Sequence, residues 1–578
     1  MFVDRERVAP VGDTLQVGVG LVEHAKAPVA VGEVAAERFA RRQRVLACDG
    51  FGFHVPDAGA RRRRGPRGAD VAFVGEDDGG AVVLADKGYV GTSGATAPSG
   101  TGVWYVEPEA LARENALAAR EALGGHLADR DWGLRVLDQT YTNLQRVADW
   151  GYPFPVDEHG VQRRTSLQGP DYMKLMRRVV RQVGVKVLDH SPALELLTDG
   201  DGAVVGARGL SRLGAARDWT VRAKAVVIAT GGCAFLSKAL GCNVLTGDGY
   251  LMAAETGAEF SGMEFSNAYG LGPAHSSVTK SAFYRWATFR YADGSVIDGA
   301  GSKHGRSVIA KHLQAGTPVY ALLDLANEEE RRFARGAQPN FFLPFDRIGV
   351  DPFTQPFQVT LRLEGTVRGT GGLRIVDEHC ATTVRGLFAA GDAATRELIC
   401  GAFTGGGSHN AAWATSSGTW AGAGAAAFAK AAGAQAHTRP VRRDDRAGLD
   451  GPRVLDSTGL IAAVQREVFP YDRNLFRDPA TLRDSLVRLD GYWEHLRSAG
   501  SATDRLRARE AAAMVATARW MYRSALARDE SRGMHKRTDR PATDPSQRHH
   551  VLSGGLDAVW TRSHRTAAHE QPFLAEAA

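Results

Sequence analysis

Residues 81–102 read AVVLADKGYVGTSGATAPSGTG: a short apolar, β-branched run, an acid at its end, then a loop built mainly of Gly, Ser, Thr and Ala. Such a run bounded by turn residues reads as a buried strand. The stretch is therefore read as a strand that delivers a ligand loop, and the rest of the chain is organised around it.

An acid at the end of such a strand, here Asp86, can accept both hydroxyls of an adenosine ribose in a dinucleotide fold. Taken alone it would equally suit a turn or a cap. The small residues from Lys87 to Gly102 strengthen the first reading, because they let backbone N–H groups approach a pyrophosphate or a flat ring closely.

Downstream, helical stretches at 107–124 and 134–149 are followed by DYMKLMRRVVRQ, by VKVLDHSP and by a further strand in WTVRAKAVVIATGG. This alternation favours an α/β fold. Residues 251–365 are mixed in character, whereas VRGLFAAGDAA returns to a strand closed by a glycine turn. The order implies a nucleotide domain in two parts, 76–250 and 366–435, interrupted by a capping domain at 251–365. From 450 to 541 apolar residues recur at three- and four-residue spacing, which predicts a helical C-terminal domain; 542–578 reads as a polar tail.

Residues 1–75 lack sustained periodicity and read as an atypical N-terminal segment, mistranslated or disordered. A dinucleotide fold opens with a strand, a GxGxxG turn and a helix, and the turn should lie about 20–30 residues before the ribose-binding acid. The chain there reads DAGARRRRGPRGADVAFVGEDDGG. Either the reading frame is shifted upstream of Ala81, or the chain is a degenerate relative with weakened cofactor binding and no turnover.

Composition excludes several classes. Over 578 residues the net charge is +6, with Lys and Arg dispersed; the one tight cluster, Arg61 to Arg64, reads as a solvated loop rather than a nucleic-acid surface. No strongly apolar stretch of about 18 residues argues for direct membrane insertion. The five cysteines, Cys48, Cys233, Cys242, Cys380 and Cys400, are scattered without a CxxC pair. They read as reduced thiols of a cytoplasmic protein with no metal site.

Five motifs, LADKGYVGTSGATAPSG, VVIATGG, TGDGYLMAAETGAEFSGMEF, GLFAAGDAA and ESRGMHKRTDRP, occur in one order across residues 81–541. In this the chain resembles the flavoprotein subunits of fumarate reductase and succinate dehydrogenase. Shorter segments, GTGGLRI and SHNAAWATSSGTWAG, are similar to ketosteroid dehydrogenases and to the adenylylsulfate reductase flavoprotein. The resemblance implies a Rossmann-like FAD-binding domain of α/β class, interrupted by an α+β capping domain and followed by a helical C-terminal domain.

It further implies that Asp86 holds the ribose with Lys87 beside it, that Thr92, Ser93, Gly94 and Ala95 line the flavin, and that Thr230, Gly231 and Gly232 pack near the dinucleotide. Asp248, Gly391 and Asp392 would complete the FAD site. Gly94 stands where membrane-bound relatives carry the histidine bonded to the flavin, so FAD is expected to be noncovalent. The implied reaction is hydride transfer between flavin N5 and a substrate carbon of a CH–CH bond, with Arg306 in HGRSVIAKHLQAGTPVYALLDL handling the proton. An arginine needs a desolvated site for that role; a surface helix arginine is the plainer reading.

Departures from the family pattern bear on the substrate. Tyr269 in SNAYGLGP and the segment VRGTGG stand where the dicarboxylate enzymes carry histidines. Thr404 in GAFTGGGSHN stands where they carry a carboxylate-clamping arginine. Succinate and fumarate are therefore not the expected substrates. Tyr269, His409 and Asn410 remain substrate candidates, with structural capping an equal reading for the latter pair. His535 is assigned a structural role, and the His549–His550 pair is not read as a metal site. Since the cysteines cannot hold a cluster, an iron–sulfur or ferredoxin-like protein is the implied electron-transfer partner, beside a small-molecule substrate.

Overall fold

A computed structural model describes residues 17–21 and 81–566, apart from 157–158, 215–216, 280–282, 303, 405, 434–440, 442–445, 450–452 and 501–503. Of the strands that frame the site, four come first along the chain: β1 (Val17–Leu21), β2 (Ala81–Ala85), β3 (Lys186–Leu188) and β4 (Ala225–Ile228). Next come β5 (Ala268–Pro273), β6 (Thr288–Arg290), β7 (Val319–Leu322), β8 (Phe357–Glu364) and β9 (Leu387–Ala389).

Strands β1 to β4 and β9 form one parallel sheet in the order β9-β4-β1-β2-β3. The AVVI run of β4 is buried throughout, as expected of a strand covered on both faces. Because β1 lies between β2 and β4, the strand order reverses beside it, and the crevice at the carboxyl ends of these strands is where such sheets bind ligands.

Residues 1–75 carry no strand signal in the sequence. Residues 17–21 nevertheless take the central position of the sheet, paired with β2 on one side and β4 on the other. The remainder of that segment, including the expected place of the GxGxxG turn, lies outside the described residues.

The interrupting region forms an antiparallel sheet in the order β5-β8-β7-β6. Strand β8, FQVTLRLE, alternates buried with less buried positions until its last two residues, Leu363 and Glu364, both of which are buried. That alternation is the period of a strand with one face on a core.

Seven helices bear on the site and its supports: α1 (Gly169–Gln182), α2 (Asp248–Ala254), α3 (Gly305–Gln314), α4 (Gly406–Ala431), α5 (Ser457–Val468), α6 (Pro479–Arg497) and α7 (Arg505–Ala527). The Ala/Gly-rich α4 packs on the parallel sheet, where its small side chains allow close approach. Helix α7 is buried almost all round, with Ala511, Ala512, Met514, Val515 and Trp520 fully enclosed. An apolar perimeter of this kind makes a helix a core element rather than a surface one. No described helix is long and apolar enough to cross a membrane.

The region read as a polar tail is structured as far as residue 566. His550–Gly554 and Trp560–His564 pair antiparallel, and the first of them adds to the strand Phe260–Ser261. The polar residues that suggested a tail lie in the segment before the hairpin and on its outer strand, while the inner strand is buried throughout.

Candidate functional site

Asp86 follows β2 directly and is 2% exposed. Its Oδ1 accepts from the N–H of Gly88 at 2.7 Å and from the hydroxyl of Ser93 at 3.2 Å. Oδ2 accepts no hydrogen bond from any described residue, which leaves an acceptor for a ligand hydroxyl. Burial, with Asp189 adding to it, pushes the carboxyl up to about 7. Arg177, ion-paired to Asp189 at 2.6 Å, works against that rise.

Two further groups of the expected site lie at neighbouring strand ends. Thr230, Gly231 and Gly232 follow β4, and Gly391 and Asp392 follow β9. Gly231 and Gly391 have φ of +74° and +63°, a left-handed backbone that glycine adopts without strain. A Cβ on Gly232 would lie 2.2 Å from the hydroxyl oxygen of Thr366, so the turn packs tightly against the strand-to-helix junction beyond β8. Asp392 is ion-paired with the fully buried Arg396 at 2.5 Å.

Lys87 and Asp248 are brought together, but by each other. Lys87 Nζ lies 2.8 Å from Asp248 Oδ2, 2.8 Å from Thr246 Oγ1 and 2.6 Å from Glu510 Oε1 on α7. The amine thus pins the ligand loop to α2 and α7. The expectation that both residues face the cofactor missed this pairing, because Glu510 carries no motif that connects it with Lys87.

In the loop after Asp86, Thr92 is exposed and Ser93 turns back to Asp86, while Gly94 is buried with φ +89°. Ala95 and Thr96 then line a cleft of about 820 Å³, its open mouth included. The opposite walls come from Thr279, from Glu364 and Arg368 at and beyond the end of β8, and from Asn410 on α4.

Polar atoms converge on this cleft. Asn410 donates from Nδ2 to the carbonyl of Val367 at 2.9 Å, and its Oδ1 is buried without a hydrogen bond, as is the hydroxyl of Thr96. Thr279 donates to Glu364 Oε1 at 2.6 Å, and Arg368 Nε stands 3.3 Å from Glu364 Oε2. Arg306, in the first turn of α3, is accessible to solvent at the edge of this group. Partial desolvation, discounted by this exposure, and the like charge of Arg368 act to hold its guanidinium below its ordinary range, with Glu364 opposing. Glu364, Arg368 and Thr279 escaped the sequence reading; the one available signal was a Glu and an Arg four residues apart around VRGTGG.

The other candidates sit elsewhere. Tyr269 sends its hydroxyl to the carbonyls of Val468 and Phe469, both at 3.1 Å, and tethers β5 to the end of α5 instead of facing the cleft. Burial explains this use, since an enclosed phenol needs partners and the nearest are those carbonyls. His409 pairs with Ser408 at 3.2 Å and packs on Trp104 with ring centres 4.6 Å apart. His535 is fully buried between Arg477 and the carbonyl of Arg528, at 2.7 and 3.1 Å, an arrangement that suits a neutral ring donating from Nε2. His549 meets Ser563 at 3.0 Å and His550 meets the carbonyl of Leu127 at 3.0 Å.

A flavin dinucleotide fits these residues at both ends. Asp86 Oδ2 is a spare acceptor at the ribose end, positive-φ glycines open two strand termini, and Asn410 Oδ1 and Thr96 offer unused polar atoms at the ring end. The expected place of the phosphate-binding turn falls among residues outside the described set.

Comparisons with known proteins agree with this layout. Residues 68–269 match the family described as FAD binding domain, and residues 472–564 match fumarate reductase flavoprotein C-term. The chain is 25% identical to a subunit of the fumarate reductase (CoM/CoB) of Methanothermobacter marburgensis, over 74% of this chain and 84% of that one. It is 28% identical to the L-aspartate oxidase of Streptomyces coelicolor, over 39% of this chain and 41% of that one. Its fold resembles that of Escherichia coli quinol fumarate reductase, with a TM-score of 0.74 at 19% identity over 97% of this chain and 98% of the other.

Proposed function

We propose, for a chain that belongs to the FAD-dependent fumarate reductase/succinate dehydrogenase flavoprotein superfamily and is an FAD-dependent oxidoreductase, that it oxidises or reduces a CH–CH bond of a small molecule other than succinate or fumarate. Noncovalently bound FAD supplies the hydride acceptor or donor. The chain's own residues bind and orient: Asp86 takes the ribose, Ala95, Thr96 and Asn410 bound the ring, and Glu364 and Arg368 face the substrate. Arg306 delivers or removes the proton at the edge of the cleft.

The observation that carries this reading is the meeting of three separate chain regions in one cleft: the loop after Asp86, the end of β8 and the start of α4. The assignment of Arg306 rests on the nearby charges of Arg368 and Glu364 that act on its guanidinium, since the side chain is exposed rather than desolvated. A visible absorption spectrum before and after denaturation tests it. Released FAD is expected; a colourless protein that cannot be reconstituted with FAD would refute the assignment and favour the degenerate alternative.

A separate acidic iron–sulfur protein exchanging electrons with the flavin is the partner this reading favours, in a reducing, cytoplasmic setting. Lys174, Arg177, Arg178 and Arg181 of α1 line a second groove with Tyr89, and Pro98 borders both that groove and the cleft. A basic face one residue thick from the cleft suits an acidic donor. Electron transfer from a ferredoxin that slows with rising salt, and slows further in Arg178→Glu, is the expected result; salt-independent rates would exclude docking there.

A further inference from the structure

Arg368 is a guanidinium with one carboxylate beside it and no hydrogen bond from its side chain to any described residue. Its Nε lies 3.3 Å from Glu364 Oε2, and Glu364 is itself braced by the Thr279 hydroxyl at 2.6 Å. Room for the carboxylate comes from Gly270, where a Cβ would lie 2.5 Å from Glu364 Oε2. The backbone is fixed too, since the Thr404 hydroxyl donates to the carbonyl of Arg368 at 2.7 Å.

The terminal nitrogens are left over. Neither Nη1 nor Nη2 hydrogen-bonds to any described residue, and the side chain, 25% exposed, lines the cleft. With its charged contact on the Nε side, the guanidinium presents the other edge as a planar fork that matches two carboxylate oxygens. Glu364 and Arg368 are the charged side chains that line the cleft, and the exposed Arg306 adds like charge from outside that lining, which favours an anion there. The remaining wall includes Leu167, Leu240, Val367 and Ala411, which offer no second cationic contact.

We propose that Arg368, positioned by Glu364, binds the carboxylate of a substrate that carries one carboxylate and an otherwise uncharged, largely apolar body. The guanidinium that position 404 lacks is supplied from position 368, which Thr404 touches. The assignment rests on the FAD oxidoreductase reading, with Arg306 reserved for the proton.

The test uses the FAD-loaded protein, titrated calorimetrically with crotonate and with crotonamide while the flavin band is recorded. Crotonate is expected to bind about ten-fold or more tightly than crotonamide, and Arg368→Gln to remove that preference, consistent with the loss of a charged hydrogen-bonded pair. Arg368→Lys is expected to recover part of it, and its flavin spectrum shows that the fold survives substitution. Equal binding of the two probes, an unchanged preference in Arg368→Gln, or no crotonate binding by protein that holds FAD would each overturn the assignment and leave the flavoprotein reading intact. Failure of the wild-type chain to hold FAD at all would remove both.

Discussion

The hydroxyl of Tyr269 donates to the main-chain carbonyl of Val468, 3.1 Å away, and so joins the capping sheet to the helical domain. Removing it leaves the Val468 carbonyl with only the Asn474 amide, 2.9 Å away, and takes the Tyr269 hydroxyl from the carbonyl of Phe469. Tyr269→Phe is expected to destabilise the protein by about 1–3 kcal/mol, the cost of leaving buried polar groups unmatched. Thermal unfolding should show the loss, while crotonate affinity stays unchanged; a selective loss of affinity would restore Tyr269 as a substrate residue.

Asp86 should make FAD affinity depend on pH. Its carboxyl sits at about 7 in the folded chain against an ordinary value of 3.8, chiefly through burial. Between those values the folded state holds a proton that the unfolded state has lost, so this group's contribution to the stability of the apoprotein falls as pH rises. Ribose hydroxyls favour the ionised acceptor, so FAD should bind more tightly at pH 8 than at pH 6. In Asp86→Asn that dependence should disappear and affinity should fall at the higher pH, as measured by quenching of flavin fluorescence.

Arg306→Ala is expected to slow turnover by about 10²–10⁴-fold, the range of a lost acid–base group, without altering the flavin spectrum. Once a substrate is found by screening carboxylates, steady-state rates at several pH values will decide. A rate within a few-fold of wild type would return Arg306 to the surface-helix role.

Lys87→Met should be severely destabilising. The amine is 2% exposed and faces Asp248 and Glu510, so its removal takes a buried cation from Asp248 and leaves Glu510 with Arg507. Breaking such a pair costs about 3–5 kcal/mol. Denaturant unfolding should show it, and the double variant Lys87→Met/Glu510→Gln should recover part of the loss.

How far the sequence could be read in advance depends on the range of the physics. Asp86, Thr230 to Gly232 and Gly391 were legible because each stands at the end of a short apolar run, where strand and turn chemistry are local. Glu364 and Arg368 were not, because their role depends on Gly270 and Thr404, which only the folded sheet and the turn beyond it bring near. The strand at Val17–Leu21 was hidden because VGVGL lacks the glycine turn that marks such a strand, and its partners lie far along the chain. The terminal hairpin was hidden by the polar composition of its outer strand.

The pin between Lys87 and α7 bears on the order of events in the cell. Synthesis runs from the N-terminus, so Lys87 leaves the ribosome long before Glu510 is made, and domains generally fold as they emerge. The loop after Asp86 cannot reach its final packing until nearly the whole polypeptide is finished. Cofactor loading is thereby placed after translation, as a late maturation step, and chains cut short before α7 should accumulate without pigment.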